Sequence, residues 1–374
     1  MVILFDPVGS PEKLEEMILG ASSSPGVSGL MILACDANGF TPLKIDAILG
    51  RAPVAVFGGV FPALIYGKTL IERGSLVVGL PRFIDTRFVP DLSNSAIDYE
   101  SFLDLKPPGA PSALTMMVFV DGFARRIGAF IDSLFNVFGL QMNYIGGGAG
   151  SLSMKSGPCL FTNQGMAADG AVLALLELGS GVGASHGWTP LSGPYLVTNA
   201  HLNTIRTLEW RPAVDVYRQV VEKHSGMTFK DNGFFTVSRS YPFGISRLES
   251  EHLVRDTLQA GPDQGLVCIG EVPQGAFVYI LKGDKPSLIE AAGKAHRLAM
   301  KRFPADCEAG LHIFMDCISR VLFLGAGFEE ELEAVVQDNL PMVGACTIGE
   351  IANCGTEFLE YYNKTAVMAV LETG

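Results

Sequence analysis

Apolar residues along this chain alternate between two periods. Leu30 to Cys35 and Met116 to Val120 are unbroken apolar runs and Leu311 to Met315 is one interrupted only by His312; all are too short for helices, and each is closed by an aspartate, Asp36, Asp121 or Asp316. Such runs predict strands buried on both faces. Phe123, Ile127, Phe130, Ile131, Leu134, Phe135 and Phe138 instead follow helical spacing, as do Phe328, Leu332, Val335 and Val336, and 43–49 also reads as helix. One broad apolar face on each must be covered by a sheet. Second strands follow at 54–59, 143–148 and 342–345, running into what read as small-residue turns at Gly58, Gly146 and Gly344.

Strand, helix and strand thus recur three times, the signature of an internal repeat. After each comes a hairpin pattern: 67–71 with 75–80, 158–162 with 170–176, and 358–364 with 365–371. A fourth, 265–270 with 276–281 across Pro273 to Gly275, precedes a helix at 286–301. Segments 88–111 and 179–194, rich in Pro, Ser and Gly, read as loops. The expected fold is α/β (α+β): two layered α/β domains with mixed sheets and hairpins, built from repeated strand-helix-strand-hairpin units. Their expected boundaries are 1–200 and 201–374.

Composition narrows the function classes. Of 374 residues 48% are hydrophobic and 18% charged, enough apolar mass for real cores and too little charge for a disordered chain. Lys and Arg number 27 against 39 Asp and Glu, giving a net charge of −12 without a basic cluster, which argues against nucleic acid as partner. Gly, Ser, Asn and Gln interrupt the charge-poor stretches before they reach membrane-spanning length, and the N-terminus lacks the basic residues of a secretory signal. Seven cysteines without a C-x-x-C pair suggest reduced thiols rather than a disulfide framework or thiolate zinc site. A soluble, cytoplasmic protein is expected.

Few residues carry recognisable chemistry. The three strand-end aspartates sit where α/β folds hold ligands, but Asp there more often caps the next helix. Gly146 to Gly150 is glycine-rich without completing a dinucleotide fingerprint, and Gly67-Lys68-Thr69 lacks the upstream glycine of a phosphate loop. The six histidines show no zinc-binding spacing, and no nucleophile elbow is present. No enzyme is expected on these grounds. Cys317, near Arg320, would have a lowered thiol pKa if exposed.

Several segments in order, Tyr241 to Ile245, Gly270 to Gly275, Cys317 to Arg320, Val343 to Ile351 and Tyr362 to Ala366, resemble the FIST C domain. Upstream, Ile145 to Ala149, Asp169 to Leu175, His186 to Trp188 and Pro212 to Tyr217 are similar to the FIST N domain. The resemblance implies a stand-alone sensory protein for signal transduction, binding a small ligand such as an amino acid between its domains and signalling through a separate partner. It also implies two alternatives: a haem-based nitric-oxide sensor regulating a histidine kinase, with His186 as the candidate axial ligand, and an interaction module without a ligand. No cofactor is otherwise expected. The residues expected to line the ligand site are Gly147, Gly148, His186, Tyr241, Arg320, Cys346 and Glu350. Among them Arg320 would pair a ligand carboxylate and Glu350 an amine.

Overall fold

The computed structural model describes residues 1–105, 114–247, 251–261, 263–336, 340–353 and 358–374. Cys354 and the end of the 88–111 segment lie outside them. The first stretch of chain runs β1 (Val2–Asp6), α1 (Pro11–Ser22), β2 (Gly29–Cys35), α2 (Pro42–Gly50), β3 (Ala55–Phe61), β4 (Ala63–Tyr66), β5 (Thr69–Ile71) and β6 (Ser75–Leu80). The second runs β7 (Phe83–Val89), β8 (Thr115–Asp121), α3 (Ile127–Phe138), β9 (Asn143–Ala149), β10 (Leu160–Thr162), β11 (Gly165–Ala167) and β12 (Ala171–Leu176).

The third opens with β13 (Ser180–Ser185). A long insertion follows: β14 (Thr189–His201), β15 (Thr204–Leu208), β16 (Arg211–Pro212), α4 (Ala213–Ser225), α5 (Phe229–Asn232), α6 (Phe234–Ser238), β17 (Phe243–Ile245), β18 (Leu253–Arg255), β19 (Thr257–Ala260), β20 (Leu266–Cys268) and β21 (Phe277–Lys282). The stretch then closes through α7 (Lys285–Arg302), β22 (Ala309–Cys317), α8 (Ile318–Leu324), α9 (Phe328–Val335), β23 (Met342–Thr347), β24 (Glu350–Asn353), β25 (Leu359–Tyr362) and β26 (Ala366–Glu372).

Three six-stranded sheets share one plan. Their orders are β1-β6-β2-β3-β10-β11, β7-β12-β8-β9-β24-β25 and β13-β26-β22-β23-β4-β5. The central pair of each, β2 with β3, β8 with β9 and β22 with β23, is parallel; the flanking pairs are antiparallel. Each stretch gives its short hairpin to another stretch's sheet, in a closed cycle: β4-β5 to β23, β10-β11 to β3 and β24-β25 to β9.

The inner faces of all three sheets meet in one core, where Phe57, Phe119, Ile145, Ile313 and Val343 are fully buried. Helices cover the outer faces, with Phe130 and Leu134 of α3 over the second sheet and Leu288 and Leu332 over the third. Coverage on both sides is why the central strands are predominantly apolar.

This exchange corrects all three repeat-associated hairpins. Segments 67–71, 158–162 and 358–364 do not pair with 75–80, 170–176 and 365–371, because each expected partner lies in a different sheet. The alternation within a strand specifies which face is buried and leaves the pairing partner open. The fourth hairpin also fails, since β14 and β15 intervene between β20 and β21. Residues 179–194 are not loop: β13 and the start of β14 occupy them. Gly181 and Gly183 are there because α7 lies against the strand, and a Cβ would fall 2.1 Å from Ala299 O or 2.2 Å from Ala295 O. The inserted sheet, β18-β17-β21-β14-β15-β20-β19 with β16 beside β15, has its own core around Tyr217, Val197 and Phe243.

Candidate functional site

Where the insertion returns to the three-sheet core, two features stand out: a buried ionic cluster that fastens it and a cavity that separates it. The cluster begins at the end of β22, where Asp316 and Arg320 are one helical turn apart across the strand-helix junction. Arg320 is fully buried, with Nε 2.9 Å from Asp316 Oδ1 and Nη2 2.8 Å from Glu331 Oε1. Its remaining donors reach His186 O (2.8 Å) and Leu288 O (2.9 Å). Burial alone would weaken its charge, but the Glu331 and Asp316 carboxylates raise its pKa. Asp316 does not cap α8, whose first turn has no side-chain cap, and its pKa is pushed well up by burial and then by Glu331.

Lys364 extends the cluster into the insertion. Its Nζ lies 3.1 Å from Asp256 Oδ2, donates to Arg239 O (2.9 Å) and stands 4.9 Å from the centroid of the Trp188 ring. Trp188 Nε1 in turn donates to Lys364 O (3.1 Å). Four carboxyls (Asp256, Asp316, Glu331, Glu350) thus share a buried region with two cations, Arg320 and Lys364. Charges this deep are tolerated only when paired or neutralised.

Glu350 is neutralised. Burial pushes its pKa up to about 8, against hydrogen bonds from Thr347 Oγ1 (2.8 Å) and Thr365 N (3.2 Å). A raised carboxyl pKa stabilises the fold fully below the unfolded value near 4.5, and that contribution is lost as pH rises through about 8. Glu350→Gln keeps both hydrogen bonds, with its amide oxygen accepting from Thr365 and its NH2 donating to Thr347. In urea melts the variant should gain about 3–5 kcal/mol on wild type between pH 4.5 and pH 9. An unchanged difference across that range would show that Glu350 ionises normally.

These positions revise the expected site. Arg320 and Glu350 are enclosed and spend their polar atoms on the protein. Gly147 and Gly148 lie inside β9: Gly147 pairs with Glu350, and Gly148 N donates to Gly349 O. Cys346 is buried in β23, and Tyr241, also buried, has its hydroxyl 3.0 Å from His224 Nδ1. His186 accepts from Trp188 N at Nδ1 (2.9 Å) and places Nε2 3.5 Å from Glu251 Oε2. Burial lowers its pKa to about 4, so the ring is neutral. A haem iron needs a ring nitrogen facing an apolar cavity, and this donor set does not fit one. Cys317 is buried and its thiol pKa is raised by burial, which corrects the reactive reading.

The cavity is formed by other residues. It measures about 290 Å³ and lies between Gly122 to Gly128 with Ile348 and Tyr361 on the core side, and Leu202, Asn203, Leu258 and Cys268 to Glu271 on the insertion side. None of the seven expected residues lines it. Apolar walls come from Phe123, Ile269 and Ile348, while Arg125 is exposed at its edge. The Glu271 carboxyl lies across the cavity against the first turn of α3, 3.5 Å from where a Gly128 Cβ would be. No side chain of α3's own caps that end. Convergent polar groups beside apolar walls at a junction of modules are the usual make-up of a small-molecule site. Gly270 to Glu271 and Ile348 carried the sequence signals for it, as parts of the resemblance; Phe123 to Gly128 read only as helix.

The FIST N domain model matches residues 29–211, and the FIST C domain model matches residues 213–353. Together they span most of the chain, and their junction falls within the insertion. No curated protein matches it. Among the described residues, no helix is long and apolar enough to cross a membrane.

Proposed function

The chain belongs to the FIST family, and from that premise we propose that it is a sensor holding a small ligand in the cavity between its inserted sheet and its three-sheet core. FIST domains are associated with sensory and signal-transduction roles. The observation that carries the reading is the position of the cavity: its two walls belong to modules joined on one side by the Arg320 and Lys364 cluster. Filling the cavity would favour the arrangement in which both walls touch the ligand, and occupancy would thereby set the angle of the insertion. In this reading the protein binds rather than catalyses, because Arg320, Glu350 and Cys317 are enclosed. The ligand is a small metabolite, with amino acids first among the candidates, and the output is a separate cytoplasmic signalling protein such as a histidine kinase.

The test is a thermal-shift screen of amino acids and other small metabolites. A ligand at 100 times its Kd should stabilise the protein by about 2.7 kcal/mol, a clear rise in Tm. Silence across the screen would favour partner recognition without a ligand.

A further inference from the structure

Two residues facing this cavity hold a backbone conformation that their side chains disfavour. Met154, in the core segment after β9, has φ of 58°, and Leu202, between β14 and β15, has φ of 50°. His201 pairs with Thr204, so Leu202 is the first central residue of a two-residue hairpin turn, a position where glycine is the usual occupant of turns with positive φ. Left-handed backbone costs a residue with a Cβ roughly 1–2 kcal/mol. Neither side chain recovers that cost by packing: both belong to no core cluster and remain 52% and 47% exposed. They line the same cavity, one from the core and one from the insertion. Strained residues of this kind cluster at ligand clamps.

We propose that Met154 and Leu202 are the specificity-determining jaws of the cavity, selecting a ligand with an apolar body and an anionic group. The proposal rests on the cavity reading above. The body would lie between the two side chains and over Phe123, Ile269 and Ile348. The anionic group would face Arg125, whose guanidinium makes no hydrogen bond or ion pair among the described residues while its backbone N is held by Ser93 Oγ. The two jaws come from different modules, so an apolar body bridges them and a small polar molecule does not.

The probe is 1-anilinonaphthalene-8-sulfonate, which combines an aromatic body with one anionic group, titrated by fluorescence. Three proteins are compared: wild type, the double variant Met154→Asn/Leu202→Asn, and Gly128→Phe. Asparagine tolerates left-handed backbone, so the double variant should melt no lower than wild type. A phenylalanine at 128 enters the cavity, since the nearest atoms to a Cβ there belong to the Glu271 carboxyl at 3.5 Å. The expected result is one-to-one binding by wild type, at least ten-fold weaker binding by the double variant, and none by Gly128→Phe. Equal affinity in wild type and the double variant, with Gly128→Phe still blocked, would overturn the jaws and leave the cavity reading standing. Binding unaffected by Gly128→Phe, or no stoichiometric binding to wild type, would also overturn the proposal; the metabolite screen then judges the cavity reading by itself.

Discussion

Gly146→Ala is expected to abolish folding. A Cβ on Gly146 would lie 1.7 Å from the Val118 carbonyl oxygen of the neighbouring parallel strand, far inside contact distance and against backbone that no rotamer change can move. The same relation holds at Gly344, 1.8 Å from Phe314 O, and at Gly58, 1.9 Å from Ile32 O. Relieving any of these contacts means separating the central parallel pair of a sheet whose inner face forms the common core. The cost should exceed about 5 kcal/mol, a large part of the stability of a typical protein. Gly157→Ala is the control: nothing lies within 4 Å of its Cβ, and its stability should stay within about 0.5 kcal/mol of wild type. Soluble yield and urea midpoints for the variants measure this directly. A Gly146→Ala protein with wild-type stability would mean that the strands are not packed as described.

Arg320→Met should be the most damaging side-chain truncation outside the core glycines. It leaves Asp316 and Glu331 without their cation and His186 O and Leu288 O without their donor, all in a region closed to water. Breaking a buried pair by removing one partner costs about 3–5 kcal/mol. Because His186 O lies just before the insertion, the loss should also loosen that module from the core. Arg320→Lys keeps the charge but not the fork of donors, and should fall between the two. The double variant Arg320→Met/Glu331→Met removes a carboxylate along with the cation and should recover part of the loss. Additive losses in that double-mutant cycle would show that the two residues do not interact.

These two predictions also mark how far the sequence could be read. The runs at Leu30, Met116 and Leu311 were legible as doubly covered strands because helices on one side and a common core on the other leave no polar face. Their helices were legible from period. The glycines at 58, 146 and 344 invited a reading as turns, yet they lie within strands, since nothing in composition distinguishes a glycine needed for positive φ from one needed for close approach. Pairing was least legible: a short strand after a tight turn carries the same alternation whether it folds back or joins another sheet.

The site divides the same way. Arg320 and Glu350 were singled out as partners for a ligand carboxylate and amine, but charge in a sequence does not reveal burial, and both side chains are enclosed. The cavity residues, Gly122 to Gly128, Leu202 and Cys268 to Glu271, come together only through the insertion's return to the core. Met154 and Leu202 were invisible because backbone strain has no signature in residue type.

The most direct test of the account is a calorimetric titration of the first metabolite to stabilise the wild-type protein, repeated on Gly128→Phe. If the ligand lies between the inserted sheet and the core, wild type should bind one equivalent, and the filled variant, melting close to wild type, should bind none. Undiminished binding by a folded Gly128→Phe protein would place the ligand elsewhere and contradict the account.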